Sequence, residues 1–397
     1  MDKAQHRSKI LKYTLDSIAV VVIVLLLAFI LALHFTRPAL PRSDQLALQE
    51  NTLRARVGSI LEENLTQETD GLYTVYQKLE LTILTAGEYK GTSINLEYNG
   101  MGPTVYAARF RPGSTALLMT ATDLNGEKYF LVADHIRLAP IGLIVGVFIA
   151  VSLCIGRGQG ARALIGLLLS GLVIAGFIVP QILAMRDPVL VAMSGTALLL
   201  AITLYLIQGW NYAGHSALIG MLFSLLVTGG LSLLWTRLAY LTGFGSEETM
   251  FLQASGIGVQ MRGLLLAGII IGAASVLDDV VIAQSVAVFQ LRSANQNLTK
   301  AQLYHMGMKI GTTHLASMIN TLILAYTSTA LPLIILFYIY PEPWYLTINR
   351  ELIAEEIIRA ITGSISLMLA VPLTTYIAAT IAVLDSSDHY PLSNSIE

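Results

Sequence analysis

The chain has 397 residues, of which 54% are hydrophobic and only 13% are charged, and its formal net charge is −2. About a quarter of the residues of a soluble domain are charged, so this composition excludes a soluble protein and indicates an integral membrane protein. The small net charge gives no support for nucleic-acid binding. The single cysteine, Cys154, excludes a disulfide within the chain, and we expect it to pack in the core as a small hydrophobic residue.

Residues 1–34 predict a cytoplasmic basic tail followed by a first transmembrane helix. The apolar run 17–33 is at the long end for the hydrophobic region of a cleaved signal peptide, so we favour an uncleaved helix over that alternative. Four basic residues precede the run and place the N-terminus in the cytoplasm. These are Lys3, Arg7, Lys9 and Lys12.

Residues 35–137 are charged and rich in turn residues, which predicts a small β-rich domain outside the membrane. Its opening, Ser43 to Leu65, has leucines and other apolar residues at helical spacing and predicts an amphipathic helix. After Gly71 the apolar residues alternate with polar ones, as in strands, and Asn125-Gly126 is the clearest hairpin turn. The alternation predicts a closed or sandwich-like sheet, to which an envelope protein or a small-molecule substrate could bind.

Residues 138–385 are almost continuously apolar and predict a seven-helix transmembrane domain, which gives about eight transmembrane helices with the first. The predicted spans are 139–155, 161–180, 188–207, 214–236, 262–285, 312–339 and 358–384. An even total returns the tail 386–397 to the cytoplasm, so both termini are cytoplasmic. Nine basic residues then lie in short cytoplasmic segments and four in short outer ones, in agreement with the positive-inside rule.

Two segments between the spans predict helices that do not cross the membrane. Residues 291–310 suit a short helix at the cytoplasmic face, with Asn297 as its N-terminal cap. Residues 340–357 predict interfacial anchors followed by an acidic helix, in which Glu355 and Arg359 have the i, i+4 spacing of an ion pair.

The span that begins at Arg262 carries two adjacent carboxylates, Asp278 and Asp279, well inside its apolar run. An ionised acid at mid-membrane costs roughly 2.5–3.5 kcal/mol on insertion scales, so such acids face protein or a water-filled cavity. Adjacent helical residues point about 100° apart, so the two acids have different surroundings and different roles. Gln284 adds a polar group further along the helix, and Gly268 and Gly272 form a GxxxG pattern that allows close packing of another helix.

The following span, 312–339, carries polar residues on one face at the spacing i, i+4, i+7 and i+8, which makes it the expected partner of the acids. The stripe consists of Thr313, Ser317, Asn320 and Thr321. His314 lies beside the stripe, and its position near the membrane surface favours an interfacial residue over a proton carrier. Two interpretations remain open. The groups form either a static hydrogen-bonded latch or a site of proton or ion coupling, which we favour because two buried acids are an expensive way to build a latch.

The sequence favours a protein that is not an enzyme and needs no cofactor. Intramembrane aspartyl proteases bring two acids together from different helices, whereas both acids here lie on one helix. The chain contains no nucleophile elbow, no HExxH motif and no phosphate-binding glycine loop. No pair of histidines or cysteines near the acids has the spacing of metal ligands.

Five blocks of the chain, in order, resemble the YibE/F family of bacterial membrane proteins. They are GRGQG at 156–160, LTGFGSEE at 241–248, IGAASVLDDVVIAQ at 271–284, IGTTHLASMINTLILAYTSTALPLIILF at 310–337 and EEIIRAITGSISLMLAVPLT at 355–374. The family often has methionine before its second acid, so this chain resembles a two-acid LDDV subgroup. It departs from the family at Thr312-Thr313, where an Arg-Asp pair is usual.

The resemblance implies eight spans, with a β-rich extracytoplasmic domain after the first, in the bacterial plasma membrane. A more distant similarity relates the acid-bearing helix and the helix after it to the transmembrane cores of SecD, SecF and other resistance-nodulation-division proteins. In those proteins a membrane acid takes up protons to drive an extracytoplasmic domain, which is an analogy of fold.

These observations support two hypotheses. The first is a proton- or ion-coupled transporter or translocation-assisting machine that uses the acid pair. The second is a membrane scaffold or receptor that transports nothing and whose outer domain binds an envelope partner. The lipid bilayer is the expected partner in both, and homo-oligomer formation stays open.

Overall fold

The computed structural model describes residues 52–67, 73–85, 87–102, 109–122 and 128–384. The described residues divide into two compact units, one up to residue 154 and one from residue 155 onward. The predicted first transmembrane helix at 17–33 and the C-terminal tail 386–397 lie outside the described residues.

The smaller unit is an antiparallel sheet. Its strands are β1 (Thr52–Gln67), β2 (Tyr73–Ile83), β3 (Ser93–Gly102), β4 (Thr115–Thr122) and β5 (Lys128–His135). The strands lie in the order β3-β2-β1-β4-β5, and the two edge strands β3 and β5 also approach each other. The unit is therefore a partly closed five-stranded barrel, the architecture of OB-type domains.

The first strand is the central strand of the sheet and pairs with both β2 and β4. Ala55 lies opposite Ile83 of β2 and opposite Ala116 of β4, and all three are buried. Register shifts beside Gly58 and after Ile60 let the strand bend between its partners. Buried apolar residues fill the interior, among them Val57, Leu79, Leu81, Phe110 and Leu118.

The predicted amphipathic helix over Ser43 to Leu65 is wrong where the structure describes it, because residues from Thr52 onward form β1. Residues four apart lie on one face of a helix, but they also lie on one face of a strand. Leu53 and Val57 therefore fit either structure. The alternation of exposed Arg54 and Arg56 with buried Ala55 and Val57 was the deciding pattern.

The larger unit and the segment leading into it are helical. The helices are α1 (Leu138–Val173), α2 (Val179–Leu183), α3 (Pro188–Gln208), α4 (Tyr212–Leu238), α5 (Glu247–Ala254), α6 (Met261–Ala294), α7 (Lys300–Thr329), α8 (Leu331–Ile339), α9 (Trp344–Asn349) and α10 (Glu351–Leu384). A π-helical turn, Ile174–Ile178, joins α1 to α2.

Five helical segments in the described part of the chain are long and apolar enough to cross a membrane, or six if the bent pair α7 and α8 counts as one. The first segment, Leu138–Leu183, has 46 residues and contains both of the first two spans predicted after the outer domain. About 20 helical residues cross the ~30 Å hydrocarbon core, so the segment has enough residues for about two crossings. Arg157 interrupts it with φ 46° and ψ −127°, between the two predicted spans. The total of eight spans stays a prediction.

The bend of 62° between α7 and α8 has a local cause. Pro332 lies in the first turn of α8; it has no N–H to donate to the carbonyl of Ser328 four residues earlier, and its ring would clash with that carbonyl in a continuous helix. Ala330, between the two helices, has φ −87° and ψ 2°. The predicted span 312–339 therefore consists of two helical pieces.

Three local predictions are wrong. Residues 291–310 do not form a separate short helix, because α6 continues to Ala294 and α7 begins at Lys300. The cap of α7 is Thr299 instead of Asn297, since Thr299 and Gln302 form a reciprocal capping box. Cys154 is exposed instead of packed in the core.

Helix α6 is the centre of the larger unit. It packs against α3, α4, α7 and α10, and it contributes buried residues such as Ile270, Ala274, Leu277 and Val281 to the main apolar core. The helix that carries the acid pair is thus also the helix that the others surround.

Candidate functional site

The two acids of α6 lie in different surroundings. Asp278 is half-buried, and its Oδ1 atom is buried without a hydrogen-bond partner from the described residues. Asp279 is exposed on the outside of the helix, as is Ser275 one turn before it. The angle of about 100° between neighbouring residues accounts for this difference.

Helix α4 lies against the face of α6 that carries Asp278. Ser285, seven residues later and thus on the same face, donates to the carbonyl of Ala213 at 2.7 Å and lies 2.6 Å from the hydroxyl of Ser216. Nearer the other end of α6, the Arg262 side chain donates to the carbonyl of Thr236 at 3.0 Å. These contacts make the two helices antiparallel and place Asp278 at a height between Ser216 and Thr236.

Gln284 fastens three helices together. It is buried, and its amide nitrogen donates to the carbonyl of Gly307 on α7 at 2.8 Å and to Oγ1 of Thr375 on α10 at 2.7 Å. A Cβ atom at Gly311 would lie 2.8 Å from its Oε1 atom, so the close approach requires glycine there. We call this arrangement the Gln284 latch, and neither acid takes part in its hydrogen bonds.

The polar stripe of α7 lies at the height of the acids. The hairpin is fixed at one point by Gln284 against Gly311 and at another by Gly272, whose Cβ would lie 3.3 Å from the Tyr326 hydroxyl. The acids lie between these points on α6, as the stripe does on α7. All four stripe residues and His314 are exposed.

The stripe hydroxyls bond within their own helix. Thr313 donates to the carbonyl of Lys309 at 3.1 Å and Thr321 to that of Ser317 at 3.0 Å. Among the described residues, no hydrogen bond joins either acid to the stripe. The pairing that the sequence predicts is thus one of position without direct contact.

The two glycines of the GxxxG pattern differ. Gly272 packs against Tyr326 of α7, whereas Gly268 is exposed and an added Cβ would meet nothing within 4 Å. Only Gly272 therefore requires its small size for a contact within the described chain.

A second cluster of acids, at the start of α10, was missed by the sequence reasoning. The carboxylate of Glu351 accepts hydrogen bonds from the backbone and hydroxyl of Thr242 and, at 2.7 Å, from the backbone of Gly243. Glu355 follows one turn later, is only 7% exposed, and packs against Gly245, where a Cβ would lie 2.7 Å from its carboxyl carbon. The glycines of LTGFGSEE were the available signal, because they allow the loop to approach the carboxyl groups.

The predicted ion pair between Glu355 and Arg359 is wrong. Arg359 instead contacts Glu356 at 3.1 Å, three residues before it, because Glu355 is turned into the interior. In the same loop region, hydrogen bonds from its own backbone and from Ser246 hold the pKa of Glu248 below its usual range.

A cavity of about 480 Å³ borders the Glu351 carboxylate. Its walls are mostly apolar side chains of α8 and α10, and the ion pair of Arg350 with Glu342, at 2.5 Å, lies at its edge. No group of three or more histidine, cysteine, aspartate or glutamate side chains suited to a metal ion occurs among the residues that the structure describes.

Residues 144–383 match the model of the YibE/F-like proteins. The chain belongs to the YibE/F-like family. The match covers more than half of the chain and includes the acid-bearing helix, the stripe and the loop that holds Glu351 and Glu355, so the predicted family is confirmed. No curated protein and no solved structure matches the chain. The two-acid subgroup and the distant similarity to SecD and SecF stay predictions.

Proposed function

We propose that this YibE/F-like protein is a multi-pass protein of the bacterial plasma membrane in which Asp278 couples proton or ion movement to transport or to work on an envelope partner. The observation that carries the proposal is the buried Oδ1 atom of Asp278, which has no partner among the described residues. A carboxylate held for structure alone would be paired, since an unsatisfied buried polar group costs about 1–3 kcal/mol and a charged one more.

The hydrogen bonding of Gln284 contrasts with that of Asp278 and supports the proposal. Helix α6 contains a complete latch at Gln284, which is buried and has partners on two other helices. Asp278 lies fewer than two turns away, and its Oδ1 atom has no hydrogen-bond partner in the part of the chain that the structure describes. A group that must gain and lose a proton cannot be fixed permanently in one hydrogen-bonded state.

Asp279 has a different part in the proposal. Its exposed carboxylate and the exposed stripe of α7 lie at one height on the outside of the described helices. Their polar atoms would form one side of a path for an ion or for a polar substrate, because lipid is a costly neighbour for them.

The alternative is a scaffold or receptor in which the barrel binds an envelope partner. Met119, Tyr129 and Leu131 on β4 and β5 support it, because they are 39–50% exposed on neighbouring strands, where an apolar partner surface could cover them. In this alternative the acids have no role in energy coupling.

Asparagine substitutions test the proposal. Asp278→Asn and Asp279→Asn are introduced separately into a bacterial strain that lacks its own copy, and growth is compared across external pH. The proposal predicts loss of function for Asp278→Asn at equal protein level. Wild-type growth of both variants would refute coupling through the acids and leave the scaffold as the better account.

A further inference from the structure

Glu355 is a buried acid to which the proposed function gives no role. Its Oε1 atom is buried and has no hydrogen-bond partner from the described chain. The charged groups whose fields act on it are Glu351 and Arg359, and the backbone of Gly245 approaches it from the loop. Glu351 accepts several hydrogen bonds from the loop, and Glu355 lies within hydrogen-bonding range of Glu351 and of the Gly245 backbone while its Oε1 atom stays unpartnered among the described residues.

Polar residues continue from Glu355 along one face of α10. Arg359, Thr362 and Ser366 follow at intervals of four, three and four residues, which keeps them on the side of Glu355. Thr362 and Ser366 are fully buried, and neither Oγ1 of Thr362 nor Nε of Arg359 has a partner among the described residues. In an apolar helix, a buried polar face of this length requires a polar counterpart.

Helix α4 also carries a series of buried hydroxyl groups. Every fourth residue from Ser216 to Thr236 is small, and five of the six carry a hydroxyl group. They are Ser216, Gly220, Ser224, Thr228, Ser232 and Thr236, and all five hydroxyl-bearing residues are at most 2% exposed. Several of these hydroxyls donate to their own backbone, as Thr228 does to Ser224, so their oxygens remain free to accept.

Helices α4 and α10 pack against each other. A Cβ atom at Gly220 would lie 2.5 Å from Oγ1 of Thr374, which places this part of the α4 row directly against α10. At the far end of α4, the backbone of Leu241 donates to the carbonyl of Thr236 where the chain enters the loop that holds Glu355. We call the contact between these two helices the α4–α10 seam.

Asp278 lies on the face of α6 that contacts α4 through Ser285, at a height between Ser216 and Thr236. Five buried oxygens without partners therefore occur on three helices packed together. They belong to Thr236, Asp278, Glu355, Thr362 and Thr374. Buried polar groups in native proteins are satisfied by protein or by ordered water, so a row of such oxygens favours a chain of water.

We propose that Glu355 is the proton-uptake residue of this protein and that the α4–α10 seam carries the proton to Asp278. The Glu355 carboxyl group releases its proton to water in the seam, and the Asp278 carboxylate takes up a proton at the other end. In the predicted topology the loop lies on the extracytoplasmic side, from which protons enter the cell. The inference rests on the proposed role of Asp278.

Thiol labelling tests whether the seam holds water. In full-length protein with Cys154→Ser, the variants Thr362→Cys and Ser366→Cys each place a thiol of nearly native size in the seam. Leu367→Cys, fully buried but apolar, is the matched control, and Ser255→Cys, exposed near the loop, is the positive control. The probe is a membrane-impermeant cationic methanethiosulfonate applied to native membranes.

The seam variants are expected to react at least roughly ten-fold faster than Leu367→Cys, because the reactive thiolate forms only where water reaches the sulfur. Equal rates for the seam and Leu367→Cys, with Ser255→Cys labelled, would show a dry seam and overturn the proposal.

A second readout tests Glu355 itself. Dicyclohexylcarbodiimide forms adducts with protonated carboxyl groups in apolar surroundings, and mass spectrometry locates them. An adduct on Glu355 and none on Glu351 is expected, since hydrogen-bond donors hold Glu351 as a carboxylate. The absence of an adduct on Glu355 would overturn the proposal. Wild-type growth of Asp278→Asn with labelled seam variants would instead refute the proposed function alone.

Discussion

Replacing Gln284 by methionine separates the latch of α6 from its acids. Methionine has a similar length and no hydrogen-bonding amide, so Gln284→Met removes the bonds to Gly307 and Thr375 and leaves little empty volume. Thr375 still donates to the carbonyl of Val371, so its hydroxyl hydrogen keeps a partner. At a net ~0.5–1.5 kcal/mol for each hydrogen bond, the free energy of unfolding should fall by about 1–3 kcal/mol.

The assay is reversible unfolding of detergent-solubilised protein by increasing fractions of sodium dodecyl sulfate, followed by helical circular dichroism. Gln290→Met is the matched control, because Gln290 lies on the same helix and is exposed. Asp278→Asn should be as stable as the wild type or more so, since it removes a charge from a site without a partner. Equal stability of Gln284→Met and Gln290→Met would refute the latch, and a large loss in Asp278→Asn would show that the acid is structural.

Four further substitutions test packing and capping in the helical unit, each by the same unfolding measurement. Gly311→Ala should lower the free energy of unfolding by about 1–3 kcal/mol, because the added Cβ would lie 2.5 Å from the Val371 side chain of α10. Gly268→Ala should leave the free energy of unfolding unchanged, since nothing lies within 4 Å of its added Cβ. Equal effects at the two glycines would contradict the packing described here. Gly245→Ala should displace the loop from the Glu355 carboxyl group and lower the free energy of unfolding by ~1–3 kcal/mol. An unchanged free energy of unfolding would contradict the close contact between Gly245 and Glu355. Thr299→Ala removes the capping box of α7 and should lower the free energy of unfolding by about 0.5–2 kcal/mol. An unchanged free energy of unfolding would show that Thr299 does not cap the helix.

Much of the helical unit was predictable because its signals are local. The predicted span 188–207 corresponds to α3, Pro188–Gln208, since proline and Gly209 mark its ends in the sequence. The separation of Asp278 from Asp279 follows from helical geometry alone. The first strand was mistaken for a helix because an interval of four residues fits both structures, and only the pairing with β2 and β4 decides between them.

The contacts of the polar residues could not be predicted, because they depend on which helices meet. In the sequence, Gln284 is one polar residue among several. Its hydrogen bonds depend on the approach of Gly307 and Thr375, which are 23 and 91 residues away. From its spacing, Glu355 was predicted to form an ion pair with Arg359. The sequence does not show that the loop at Gly245, more than a hundred residues earlier, packs against it. The α4–α10 seam could not be predicted either, because the sequence does not show which helices pack together.

Difference infrared spectroscopy on purified protein in lipid tests the central claim most directly, because it needs no knowledge of the substrate. Spectra are recorded as pH is varied while the protein stays folded, and the carbonyl stretch of protonated carboxyl groups is compared between the wild type, Asp278→Asn and Gln290→Met. A reversible, pH-dependent carboxyl band that is present in the wild type and in Gln290→Met and is lost in Asp278→Asn is the predicted result. Identical spectra for all three proteins would contradict a proton-coupling role for Asp278.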